Sequence, residues 1–126
     1  MDMNIFQTGQ EAVMEIQVTV DLTINRMGRQ GADVLSTPSL LMVMERTCIQ
    51  ASEPYLEEDF TTVGYAVDDL RHMAPTLIGA KIKTKAKLVE VDRERNRLTY
   101  SIEVYEGEKK IGRAMHKRAV ISTIGA

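Results

Sequence analysis

Thr37, Glu45 and His72 supply a hydroxyl, a carboxylate and an imidazole. Acyl-transfer chemistry at a carbonyl draws on that set for a water-orienting or nucleophilic group, a base and a proton carrier. Thr37 stands just before Pro38, Glu45 follows eight residues after Thr37, and His72 opens the segment His-Met-Ala-Pro-Thr-Leu-Ile-Gly. Glu45 has the most telling surroundings. The run Leu40-Leu41-Met42-Val43-Met44 before it is apolar around a whole helical circumference, which predicts a helix enclosed by other structure. A carboxylate beside Leu41, Met44 and Cys48 would lose much of its hydration, a cost that demands a pairing partner or a function.

Each of the three has a structural competitor. Thr37 suits a helix cap as well as it suits chemistry. Glu45 could lie at a wet seam, paired to Arg46 or to a lysine of another subunit, and His72 alone would suit a surface turn. The enclosed helix favours a functional Glu45, and the position of His72 relative to Glu45 and Gly79 raises it to a candidate.

The elements that must position these groups follow from hydrophobic periodicity. From Glu15 to Ile24 the chain alternates strictly, with Ile16, Val18, Val20 and Leu22 on one face, and reads as a half-buried strand. Residues 25–36, with Gly28 and Gly31, read as a loop. A helix then starts with Ser36 or Thr37 as cap and Pro38 in its first turn, and runs to about Ser52, where Glu53-Pro54 ends it. A β-rich segment begins near Thr61, passes Gly64 and becomes less regular towards His72. Three strands follow in meander order. Lys81, Lys83, Lys85 and Lys87 mark a solvated face, although a minority reading makes them a steering surface for phosphates. Asp92 to Asn96 forms a polar turn, and Glu106-Gly107-Glu108 signals a hairpin before a last strand from about Lys109 to Ser122. One strand, one long apolar helix and four strands make an α+β fold in which an antiparallel sheet wraps around one central helix. So small a sheet cannot cover the helix on every side, so a second subunit that extends the sheet is expected.

Composition bounds the alternatives. The 126 residues suit one domain, 1–126, with 44% hydrophobic and 27% charged residues. A net charge of -2 gives no electrostatic case for nucleic acid, and no apolar run reaches membrane-spanning length. The N-terminal Met-Asp-Met-Asn-Ile-Phe lacks the regions of a secretory signal, which points to the cytoplasm. Cys48 is the one cysteine, and the two histidines, His72 and His116, stand apart, so neither a disulfide nor a metal is expected. His116 reads as a structural strand residue. Arg118 is a candidate phosphate contact, against the alternative of a solvated strand arginine. The eight methionines are core filler first and an adaptable acyl pocket second.

The order and spacing of these segments resemble the hot-dog fold, and within it the fluoroacetyl-CoA thioesterase-like group of acyl-CoA thioesterases. The resemblance is carried by Thr37 and Glu45, Glu53-Pro54-Tyr55-Leu56-Glu57, Gly64, His72 with Gly79, and Ile111-Gly112 leading to His116-Lys117-Arg118-Ala119-Val120-Ile121. It implies hydrolysis of an acyl-CoA thioester by Thr37, Glu45 and His72, with Gly64 beside the thioester, no cofactor, and a homodimer or dimer of dimers with sites between subunits. There are two departures from the pattern. One extra residue lies between Gly64 and His72, so a bulge must keep His72 aimed inward. The loop before the helix also lacks phenylalanines, since Phe6 and Phe60 lie elsewhere, so specificity for fluoroacetyl is not implied. A hydratase or dehydratase on an acyl thioester and a non-enzymatic acyl-CoA-binding module are the alternatives.

Overall fold

The computed structural model describes residues 1–25, 28–29 and 31–124. Five strands form one antiparallel sheet. They are β1 (Glu11–Gln17), β2 (Phe60–His72), β3 (Lys81–Asp92), β4 (Arg97–Glu106) and β5 (Lys109–Ser122), and one long helix, α1 (Thr37–Ser52), separates β1 from β2 in the chain. The sheet order is β1-β3-β4-β5-β2, which leaves β1 and β2 at the two edges. Alternation along β3 follows the sequence, with Lys81, Lys83, Lys85 and Lys87 exposed and Ile82, Thr84, Ala86 and Leu88 buried. The buried face meets Leu40, Met44, Cys48 and Ala51 of α1 in a single apolar cluster. Among the described residues no helix is long and apolar enough to cross a membrane.

The first strand differs from the expectation. It runs over Glu11–Gln17 rather than Glu15 to Ile24, and Val20–Leu22 is a 3-10 turn. The partner strand explains the difference. Gln17 pairs with Lys81, the first residue of β3, and there the chain turns away. Val18 closes the ladder by donating to Ala80 O at 2.8 Å and accepting from Gly79 N at 2.8 Å. With β3 starting at Lys81, the alternation from Val20 onwards finds no strand to pair with and makes only an isolated antiparallel bridge, Thr23 with Leu35. The expected loop over residues 25–36 falls partly outside the described residues.

Within one subunit the helix is covered on one side, as expected of so small a sheet. Leu40, Val43, Met44, Thr47 and Cys48 are buried, but Glu45, Arg46, Ile49 and Gln50 are exposed and Leu41 and Met42 are partly so. One subunit covers one face of α1 only. The opposite face carries Glu45.

The bulge expected between Gly64 and His72 is present. Register shifts fall between Gly64 and Ala66 and between Asp68 and Arg71 in the pairing of β2 with β5, and Asp69 adopts φ 54°. They let a 13-residue strand keep His72 opposite Gly112 at its far end.

Candidate active site

The N-terminus of α1 forms the first half of the site. Ser36 is the cap: its Oγ accepts from Ser39 N at 3.1 Å, which leaves the Thr37 hydroxyl uncommitted to the helix. Thr37 Oγ1 instead lies 2.9 Å from His72 Nδ1, a hydrogen bond between residues 35 apart in sequence. The turn after β2 is stitched to the chain before α1, which holds the pair together. Leu35 N donates to Thr76 O and Ile78 N to Asp33 O, both at 2.8 Å, and Met73 N donates to Ile111 O at 2.7 Å. Gly79, at φ 90°, turns the chain back into β3. Burial pushes the His72 pKa below 6.5, which favours the neutral ring. Its Nε2 is closed off and has no hydrogen-bond partner among the described residues. An open cleft of about 410 Å³ lies against this pair, walled by Ile24, Val34, Met73 and Pro75.

Two helical turns further on, Glu45 forms the second half. Its Oε2 lies 3.5 Å from Arg118 Nη1, with the glutamate side chain 50% exposed. The desolvating cage expected from Leu41, Met44 and Cys48 is therefore incomplete within one subunit, because those three lie on or beside the face turned to the sheet. Within the subunit the carboxylate pairs with Arg118 rather than with Arg46, the neighbour that the structural alternative offered. Such a half-exposed pair contributes only about 0–1 kcal/mol to stability, so it acts mainly to orient the carboxylate.

Arg118 itself is 3% exposed. Its Nε donates to Thr62 Oγ1 at 2.9 Å and its Nη2 to Thr62 O at 3.0 Å, so the guanidinium is clamped to β2. The expected contact with a phosphate gives way to an inward role: with Nε and Nη2 committed to Thr62, the remaining edge faces Glu45 and His116. His116, expected to be structural, is buried beside this edge, with Nε2 3.0 Å from Arg118 Nη1. The period of β5 carries the missing signal, because Ala114, His116, Arg118 and Val120 share the buried face that looks onto α1.

Gly64 faces the same cluster. A Cβ there would stand 2.8 Å from His116 Cε1 and 3.1 Å from both Arg118 Nη1 and Glu45 Oε2. Glycine is needed at this position because three polar side chains crowd the backbone of β2. Cys48 lies beneath, with its thiol pushed up to about 12 by burial, Arg118 lowering it and Glu45 raising it. A thiol so reluctant to ionise is no nucleophile. Among the described residues no group of three or more His, Cys, Asp or Glu could hold a metal ion.

Within one chain, Thr37 pairs with His72 while Glu45 pairs with Arg118. An eight-residue separation along a helix is about 12 Å, beyond direct hydrogen bonding between the two halves. Each half is built; a single subunit does not join them.

One helix laid across a five-stranded antiparallel sheet is the hot-dog fold. A hot-dog-like protein from Thermanaerovibrio acidaminovorans superposes with a TM-score of 0.86 at 23% identity over 98% of this chain and 90% of that one. A crystallised variant of the fluoroacetyl-CoA-specific thioesterase FlK, in complex with fluoroacetate and CoA, gives 0.82 at 26% identity over 93% and 96%. The family model for the fluoroacetyl-CoA-specific thioesterase matches residues 18–123. The fluoroacetyl-CoA thioesterase of Streptantibioticus cattleyicolor is 34% identical over 89 residues, 71% of this chain. That match spans 62% of the relative, less than two thirds of its length. The chain belongs to the fluoroacetyl-CoA-specific thioesterase family.

Proposed function

We propose that this protein hydrolyses an acyl-CoA thioester to the free acid and CoA, as a cytoplasmic homodimer that needs no cofactor of its own. The observation that carries the reading is the Thr37–His72 hydrogen bond at the N-terminus of α1, beside an apolar-walled cleft. Helix capping by Ser36 frees the Thr37 hydroxyl for this bond, and Thr37 N is the amide of the first turn left to donate to a developing oxyanion, because Pro38 has no N–H, Ser39 N is held by Ser36 Oγ and Leu40 N by Ser36 O. Glu45 supplies the base. Water loses a proton to the carboxylate and adds to the thioester carbonyl. The tetrahedral oxyanion then collapses and expels the CoA thiolate, which takes back the proton held by Glu45 to give the free thiol and restore the carboxylate. The absence of phenylalanine from residues 20–36 argues for an acyl group other than fluoroacetyl.

Three features support a dimer joined along β2. This strand lies at a sheet edge, it exposes Val63, Tyr65 and Val67, and the uncovered face of α1 with Glu45 and Ile49 lies on the same side of the fold as the Arg118 cluster behind β2. A two-fold axis between antiparallel β2 strands sets the His72 end of one strand beside the Phe60 end of the other. Glu45 of each protomer then approaches the Thr37–His72 pair of its partner, and burial of the joint completes the dry site that one subunit lacks.

A thiol-release screen over short, branched, aromatic and long acyl-CoAs tests the reading, with Glu45→Gln and His72→Ala alongside. Cleavage of at least one class and its loss in both variants is the expected result. No cleavage above background, or full turnover in both variants, would refute it.

A further inference from the structure

His116 is a buried titratable group that this chemistry leaves unused. Its side chain is 2% exposed and its cross-strand neighbours are Val67 on β2 and Tyr100 on β4. Two contacts fix the state of its ring. Nδ1 lies 3.1 Å from Ala66 O, and a carbonyl only accepts, so Nδ1 carries a proton. Nε2 lies 3.0 Å from Arg118 Nη1, and a guanidinium only donates, so Nε2 offers a lone pair. Both bonds demand the same neutral tautomer. The approach of His116 Nε2 to Glu45 Oε2 at 3.8 Å, which distance alone would class as an ion pair, is therefore a meeting of two acceptors across one shared donor.

That donor is Arg118 Nη1, which lies 3.0 Å from His116 and 3.5 Å from Glu45, while the other two nitrogens of the guanidinium are held by Thr62. Nη1 has two hydrogens. One is spent on the imidazole, which leaves the second for the carboxylate, whose Oε2 lies 3.5 Å from Nη1 as an ion-pair contact rather than a closed hydrogen bond. We infer that His116 is a positioning residue that acts through Arg118: as a neutral acceptor it holds the Nη1 edge over Gly64 so that one N–H always faces Glu45. The role rests on the reading of Glu45 as the base. Thr62 fixes only the line through Nε and Nη2, so a protonated or apolar side chain at this position would let Nη1 tip about that line, and misplacement of such a group by about 1 Å is worth roughly a hundredfold in rate.

Three substitutions separate this role from a merely structural one. His116→Gln keeps an acceptor near the Nε2 position, His116→Asn keeps a donor near Nδ1 for Ala66 O, and His116→Leu keeps neither. The expected kcat on the best acyl-CoA is within about fivefold of the parent for Gln and about tenfold to a hundredfold lower for Asn and Leu, with KM changed by less than about threefold. Equal activity of Asn and Gln, or parental kcat in all three, overturns the inference. Nitrogen-15 NMR of the side chains tests the same point without turnover. Near neutral pH the His116 ring should be protonated at Nδ1 alone, and a slowly rotating Arg118 Nη1 signal should be present in the parent and in Gln but averaged in Asn and Leu. A ring protonated at Nε2, or an Arg118 signal indifferent to residue 116, overturns it. Should the parent cleave no thioester, the proposed function fails and the NMR arm alone decides on His116.

Discussion

The two halves of the site are built in opposite ways. Around Glu45, every polar group of the supporting set is spoken for: Arg118 is clamped by Thr62, and His116 is fixed at both ring nitrogens. Around Thr37, a single hydrogen bond to His72 stands beside an open cleft, and His72 Nε2 has no protein partner among the described residues. The Glu45 half is a saturated network buried behind one half-exposed carboxylate. The Thr37 half is an unsaturated pair held by backbone stitching between two turns. Saturation holds a carboxylate in place, whereas the His72 ring is bonded through Nδ1 alone, and its closed-off Nε2 must be uncovered before a group from outside the chain can reach it.

The contrast sharpens most at Glu45. Replacement by Gln keeps the shape and removes the base, so kcat should fall on the order of 10² to 10⁴. Because the side chain is half exposed, thermal stability measured by calorimetry should barely change. Gly64→Ala should come next, with kcat lower by about tenfold and about 1–3 kcal/mol lost in urea unfolding, because the new Cβ overpacks the saturated half.

At the other half, rate and stability should come apart. Thr37→Val should lower kcat by about tenfold while unfolding stability stays within about 0.5 kcal/mol. Ser36→Ala should do the reverse, with about 1 kcal/mol lost with the cap and turnover retained. If Thr37→Val destabilises as Ser36→Ala does, the hydroxyl belongs to the helix rather than to the site.

The smallest effect expected is one of pH. Burial lowers the pKa of both His72 and His116 below 6.5. The unfolded chain takes up protons at about 6.5 that the folded chain resists, so the stability contributed by the neutral rings is full above that pH. It is lost progressively as the pH falls through the lowered folded values. Denaturation at pH 7.5 and 5.5 should show a smaller loss on acidification in His116→Gln than in the parent.

Much of this was readable in the sequence, for reasons that can be traced to particular residues. The lysines of β3, the turn at Asp92 to Asn96 and the hairpin at Gly107 are local signals, set by period and turn chemistry, and the strands fall where those signals lie. The end of β1 was not readable, because alternation continues past Gln17 and only the point where β3 begins decides where pairing stops. The apolar run before Glu45 described the helix correctly but not its surroundings, since one subunit covers only one face. The meeting of Thr37 with His72 depends on backbone bonds between residues 33–35 and 76–78, which no spacing rule contains. Glu45 and Arg118 were each singled out without the other. Their pairing, and the imidazole between them, needed the register of β5 against β2.

The account stands or falls on whether Glu45 of one protomer works with Thr37 and His72 of another. Purified Glu45→Gln and His72→Ala proteins, each inactive alone, can be mixed, unfolded and refolded together, and assayed for thiol release. In a mixed dimer one site carries both lesions and the other carries none, so random reassociation should restore roughly a quarter of the parental activity. A mixture no more active than either variant alone, when the parent taken through the same refolding regains its activity, would contradict the account and confine the site to a single chain.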